Sequence, residues 1–187
     1  MPALFEFVQI FYWLALSTWF GSVLFVAIAA PIIFRTVREA NPLIPTVLSV
    51  NLEGQHSTLL AGTIVANLLK ALTRVELICA VVIAVTTAVQ LGKHWQDWSA
   101  AIPRTLMFLI ALMLVVYDWL FVWPQIDRHR QQYIDHADEP DVANPAREQF
   151  DRYQRESELL LKIVLALLLG MIAFSFNISP ARVFVAP

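Results

Sequence analysis

Residues Thr105–Ile126 read TLMFLIALMLVVYDWLFVWPQI, an apolar run broken by one charge, the carboxylate of Asp118. A helix that crosses a hydrocarbon core about 30 Å thick needs about 20 apolar residues, and this run is long enough. Burying a carboxylate in hydrocarbon is costly unless it is paired or lines water. The run therefore predicts a membrane helix and marks Asp118 as the residue around which a site is sought.

Three more runs follow the same rule. Phe7–Phe34 and Ile163–Ala181 carry no charge, and Leu77–Gly92 reaches membrane length by extending back through Glu76, Arg74 and Lys70. The 187 residues are 58% apolar and 15% charged, against about 45–50% and about 25% in soluble domains. The prediction is an all-α, four-helix transmembrane bundle, one domain over residues 1–187, with helices near 5–34, 57–91, 104–136 and 145–178. The first run lacks the basic flank of a cleavable signal peptide, since Glu6 is the only charge before it, and its apolar core is too long for one. It should stay as a helix. The single cysteine, Cys79, excludes an intrachain disulfide.

Charge sets the expected orientation. Arg35, Arg38, Lys70, Arg74, Arg128, Arg130, Arg147, Arg152, Arg155 and Lys162 flank the first and third connections, leaving Lys93, Arg104 and Arg182 on the other side. Ten of the 13 basic residues on one side predict cytoplasmic connections at 35–56 and 127–158. Both termini then face outward, in the cell (inner) membrane. The net charge of −2 hides this asymmetry, because the third connection is also acidic.

Within the runs, Ser17 with Gly21 and Gly62 with Ala66 form small-residue pairs four apart, which let neighbouring backbones approach. They predict close packing of the first helix on the second. Pro31 should kink or end the first helix, and Leu43–Leu52 is apolar enough to lie along the membrane surface. Ser57 is the expected cap of the second helix. Trp95 and Trp98 are read as interface anchors, and Pro103 as the start of the third helix. In the third connection, spaced apolar residues predict helices continuing out of the membrane on both flanks. Glu139–Asn144 would be the turn, with Asn144 as cap, Pro145 at the first helical position, and Glu158–Lys162 as an i,i+4 pair.

Most site chemistry is disfavoured. A membrane haem needs histidines inside helices, whereas His56, His94, His129 and His136 fall in connections or helix ends. Met107 and Met113 fill packing gaps rather than hold copper. His129, Asp135, His136, Asp138, Glu139 and Asp141 match no fixed metal-ligand spacing and read as a solvated hairpin. Ser17, Thr18 and Ser22 have no nearby base, and the five glycines form no phosphate loop. No metal, cofactor, nucleic acid or catalytic residue is expected. The partners are the lipid bilayer and, in an assembly, a second copy or another membrane protein.

What is left is the ionic set Arg74, Glu76 and Asp118. Asn67, Lys70 and Arg74 fall within about 60° of one another at about 100° per residue, and Glu76 points away from them. A guanidinium suits a buried carboxylate better than an ammonium does, so a direct Arg74–Asp118 bridge is predicted, with Glu76 turned to a partner such as Lys162. The set would either lock the second helix to the third or line a path for a proton, cation or solute.

Short motifs along the chain resemble those of the DUF4149 / TMEM205-like membrane proteins. They are Trp19-x-Gly21, Ala30-Pro31-Ile32-Ile33-Phe34, Ala61-Gly62-x-Ile64 with Leu68, and Trp123-Pro124-x-Ile126 with Arg128. Phe150-x-x-Tyr153 with Ser157 and Leu159 completes the set. The family pattern usually has a Leu-His pair where this chain has Tyr153 and Gln154, so no histidine role carries over. The resemblance implies a compact four-helix membrane fold, with no established enzymatic activity and no assigned catalytic residue. The expectation is a non-enzymatic multi-pass membrane protein acting as an assembly or packing module. The alternative is a small-ion or solute transporter, or a channel-like protein, built around Arg74, Glu76 and Asp118.

Overall fold

The computed structural model describes residues 2–40, 56–93, 95, 98–136 and 139–175. Helix α1 spans Pro2–Ala40, α2 His56–Gly92, α3 Trp98–Tyr117, α4 Trp123–Asp135 and α5 Pro140–Ser175, with a π-helical segment at Asp118–Val122 joining α3 to α4. Four helical rods result, each long and apolar enough to cross a membrane: Ala3–Ala40, Leu60–Gly92, Ala101–Asp135 and Asp141–Ser175. The all-α expectation holds.

Each rod buries one stripe at alternating three- and four-residue spacing. On α1 the stripe is Tyr12, Leu16, Trp19, Val23 and Val26; on α2 it is Leu72, Glu76, Cys79, Ile83 and Gln90. On α3 it is Arg104, Phe108, Ala111 and Val115, and on α5 Ser157, Val164, Leu168, Met171 and Ser175. A repeat near 3.5 residues is the seam of near-parallel helices packed knobs into holes. Large apolar residues such as Ile10, Phe25, Ile78, Val85, Leu109 and Leu169 lie outside the seam and are exposed. That is the surface a bundle in lipid presents, where association rests on packing rather than on hydrophobic drive.

Paired contacts fix the antiparallel arrangement. Tyr12 near the start of α1 meets Ser175 at the end of α5 at 2.8 Å, and Gln90 near the end of α2 reaches Gln9 at 3.2 Å. At the opposite end, rich in Lys and Arg and here called the basic end, Arg130 of α4 donates to Thr63 of α2.

Several local expectations change. Helix α1 does not stop at Pro31 but runs to Ala40, where an Arg35–Glu39 pair at 3.9 Å spans one further turn. Helix α2 opens at His56. Helix α3 begins at Trp98, so Pro103 sits inside it. The turn after α4 is shorter than expected. The Val142 and Ala143 amides both donate to the Glu139 carbonyl, so α5 starts at Pro140 and Pro145 lies within it. Pro140 takes the first helical position, where a missing N–H costs nothing. Helix does continue into the third connection on both flanks, to Asp135 in α4 and from Pro140 in α5, and the Glu158–Lys162 pair forms at 3.5 Å. The Leu43–Leu52 segment and residues 176–178 lie outside the described residues.

The π segment has a local cause. Pro124 has no N–H for the Leu120 carbonyl and its ring crowds that carbonyl. The turn before it opens, and the Trp123 amide bonds five residues back to the Asp118 carbonyl. A single widened turn of this kind re-aims side chains and recurs at functional sites. Here it begins at Asp118.

Candidate functional site

Two polar groups occupy the seam, one toward each end. Nearer the basic end, Glu76 is 5% exposed and accepts a 3.1 Å hydrogen bond at Oε1 from Trp19 Nε1. Asp118 lies within Coulombic reach of Glu76. The Ser157 hydroxyl of α5 and the Trp123 indole are turned toward its carboxylate, yet Oδ1 is buried with no hydrogen-bond partner. Glu156 is a further acidic group within Coulombic reach of Asp118, and it accepts a 3.0 Å hydrogen bond from Tyr117. Among the described residues neither Glu76 nor Asp118 forms an ion pair. Cys79, buried and free, lies one turn along α2 from Glu76.

A cavity of about 40 Å³ adjoins this group, with Trp123 and Ser157 in its wall. Gln154 and Glu158 form its polar side, Val26, Ala30 and Phe34 the α1 side. One water needs roughly 10–15 Å³ of such space and two to four polar partners, so the cavity admits water beside Ser157.

At the far end of the seam, Arg104 is 1% exposed and Gln90 fully buried. The guanidinium donates to Gln90 Oε1 at 3.0 Å and lies 4.8 Å from the centre of the Tyr12 ring. Tyr12 closes the group through Ser175, whose hydroxyl also bonds the Met171 carbonyl. Leu16, Ile83, Ala111, Leu168 and Phe108 separate the two polar groups and are buried.

The predicted site residues therefore divide. Glu76 and the Asp118 Oδ1 atom are both buried, on different helices, with no contact between them. Arg74 does not join them; it is exposed on the face of α2 that also carries Asn67 and Lys70, as the wheel of charges predicted, and the Arg74–Asp118 bridge does not form. Glu76 takes Trp19 rather than Lys162 as its partner. Ser17 and Gly21 are exposed, and nothing lies within 4 Å of where a Gly21 side chain would begin. Leu16, Trp19 and Val23 of α1 instead share one buried core cluster with Leu72, Cys79, Ala80 and Ile83 of α2. Ala66 is buried, while Gly62 faces Phe150 of α5 at 3.8 Å; both border the cavity. His136 meets Glu139 at 3.6 Å, and among the described residues no three His, Cys, Asp or Glu side chains are grouped to hold a metal ion.

Sequence reasoning missed Arg104, treated as a flank of the third helix, together with Gln9 and Gln90. The signal was present: Gln90 continues the α2 stripe from Glu76 by two heptads, and Arg104 opens the stripe that leads to Asp118. It also missed Gly170, where a Cβ would stand 2.9 Å from Met107 Sδ. Met107 does fill a gap there, against the α5 backbone.

Fold and polar seam define a multi-pass helical membrane protein. A model of a domain of unknown function, DUF4149, matches residues 14–134, and the chain belongs to that family. No curated protein and no solved structure matches it. The match covers most of α1 and the next two rods, so Ser157 and Ser175 lie outside it. The narrower TMEM205-like likeness rests on the short motifs alone.

Proposed function

We propose that this protein is a non-enzymatic membrane protein that takes up and releases a proton or a small monovalent cation at Glu76 and Asp118. The supporting observation is that two carboxylates from different helices share the bundle interior and form no ion pair among the described residues. Two like charges at membrane depth are costly, and a proton or cation held between them removes that cost. The Trp19 bond and Ser157 hold the carboxylates in place, and the small cavity gives water access to Ser157 from the basic end. The apolar layer around Leu16, Ile83 and Leu168 closes the path toward Arg104, as a transporter or channel-like protein at rest requires. By the bias of Lys and Arg, the basic end faces the cytoplasm of the cell membrane and both termini face away.

A pH-sensitive dye trapped in proteoliposomes tests this reading. An imposed proton or sodium gradient should dissipate faster with wild-type protein than in empty vesicles. Glu76→Gln combined with Asp118→Asn should return the rate to the empty-vesicle value. Equal rates for wild type and double variant would refute it.

A second reading, the assembly module, has one observation in its favour. The outward face of α1 carries Ile10, Leu14, Ser17, Gly21 and Ile28, all exposed, with the small pair at its centre. That is the surface on which a second membrane helix packs most closely.

A further inference from the structure

Arg74 belongs to a different feature, an open cleft of about 510 Å³ between α2 and the π segment with α4. Lys70, Arg74 and Leu77 line one wall and Trp119, Trp123 and Asp127 the other. Lys70, Arg74 and Leu77 are spaced four and three residues apart, so they follow one face of α2 from the basic end toward the membrane centre. The charges along it are unequal. Lys70 Nζ is held by Asp127 Oδ2 at 2.9 Å and stands 5.4 Å from the Trp123 ring centre, a pair that is neutral as a whole. Arg74 is exposed and forms no ion pair among the described residues. The cleft thus carries one net positive charge at its polar end and an apolar wall, Leu77 and the half-exposed Trp119, at the other.

We propose that the cleft binds a monoanionic phospholipid from the leaflet at the basic end. The phosphodiester would sit on Arg74, whose planar fork matches phosphate oxygens in a bidentate manner, with Lys70 as second donor. An acyl chain would follow Leu77 and Trp119. A free phosphate satisfies Arg74 equally but leaves the apolar wall uncovered, so the combination selects the lipid. Trp123 ties this site to the carboxylates, since its indole is turned toward Asp118 while its ring lies beneath Lys70.

Native mass spectrometry of the whole protein in neutral detergent, titrated with phosphatidylglycerol or phosphatidylcholine, tests the proposal. Wild type should retain phosphatidylglycerol in preference, and excess inorganic phosphate should not displace it. Arg74→Gln should weaken that binding roughly fivefold, the effect of about one basic residue at an anionic lipid surface. Lys162→Gln, an exposed cation on α5, should leave it unchanged. The proposal fails if Arg74→Gln binds like wild type, if Lys162→Gln loses as much, or if inorganic phosphate displaces the lipid.

Discussion

Glu76 is held by a neutral donor, and that decides how it responds to substitution. The Trp19 indole needs an acceptor, and a side-chain amide oxygen supplies one as well as a carboxylate oxygen does. Glu76→Gln keeps the bond and removes the charge facing Asp118, so its melting temperature in detergent should equal or exceed that of wild type. Glu76→Ala leaves a buried N–H without a partner, at a cost of about 1–3 kcal/mol, and should melt lower. If both variants melt alike, the Trp19–Glu76 bond does not hold the site. The same contrast shows which residues were legible in the sequence. Asp118 and Glu76 stood out because a carboxylate in an apolar run is costly unless it is paired or lines water. Their pairing was misread because Arg74 shares their depth on α2 but not their face. Depth follows from counting residues, whereas facing depends on which stripe a neighbouring helix covers.

At the scale of elements, the apolar runs were readable from composition, since hydrocarbon thickness sets their length, and the helices flanking the third connection from the spacing of its apolar residues. Helix ends were less so. Pro31 reads as a kink or a helix end, and Pro103 and Pro145 as helix starts, yet all three lie inside helices, while Pro124 opens the π turn at Asp118. Small residues misled in a similar way, because a glycine in a membrane helix fits a tight interface and a lipid-facing surface alike. Among the described glycines Gly170 is the one at a tight contact, with Met107 Sδ 2.9 Å from its absent Cβ, while Gly21 has open space around it. Gly170→Leu must push aside the end of the flexible Met107 side chain, an overpacking that costs about 1–3 kcal/mol, so its melting temperature should fall. Gly21→Leu should melt as wild type, and if α1 is an assembly surface its cross-linking yield between copies should drop. A Gly21→Leu variant that melts as low as Gly170→Leu would contradict the placement of that face.

For the whole molecule, the polar ends of the seam make the direction of insertion a functional matter. Glu76, Asp118 and the cavity lie toward the end that collects ten of the 13 basic residues, while Arg104 and Gln90 lie toward the other. If the basic end is cytoplasmic, the carboxylates exchange with the cell interior and the arginine group faces outside; the reverse insertion would exchange their roles. The lipid cleft depends on the same choice, because anionic lipid concentrated in the cytoplasmic leaflet attracts basic residues there. Single-cysteine labelling decides it cleanly, since the only native cysteine, Cys79, is buried. Gln132 on α4 and Lys93 after α2 are both exposed and at opposite ends. A membrane-impermeant maleimide added to intact cells should label Lys93→Cys and leave Gln132→Cys unreacted until the membrane is opened. Gln132→Cys reacting from outside, with Lys93→Cys protected, would invert the molecule and place the carboxylate pair on the outer side of the apolar layer.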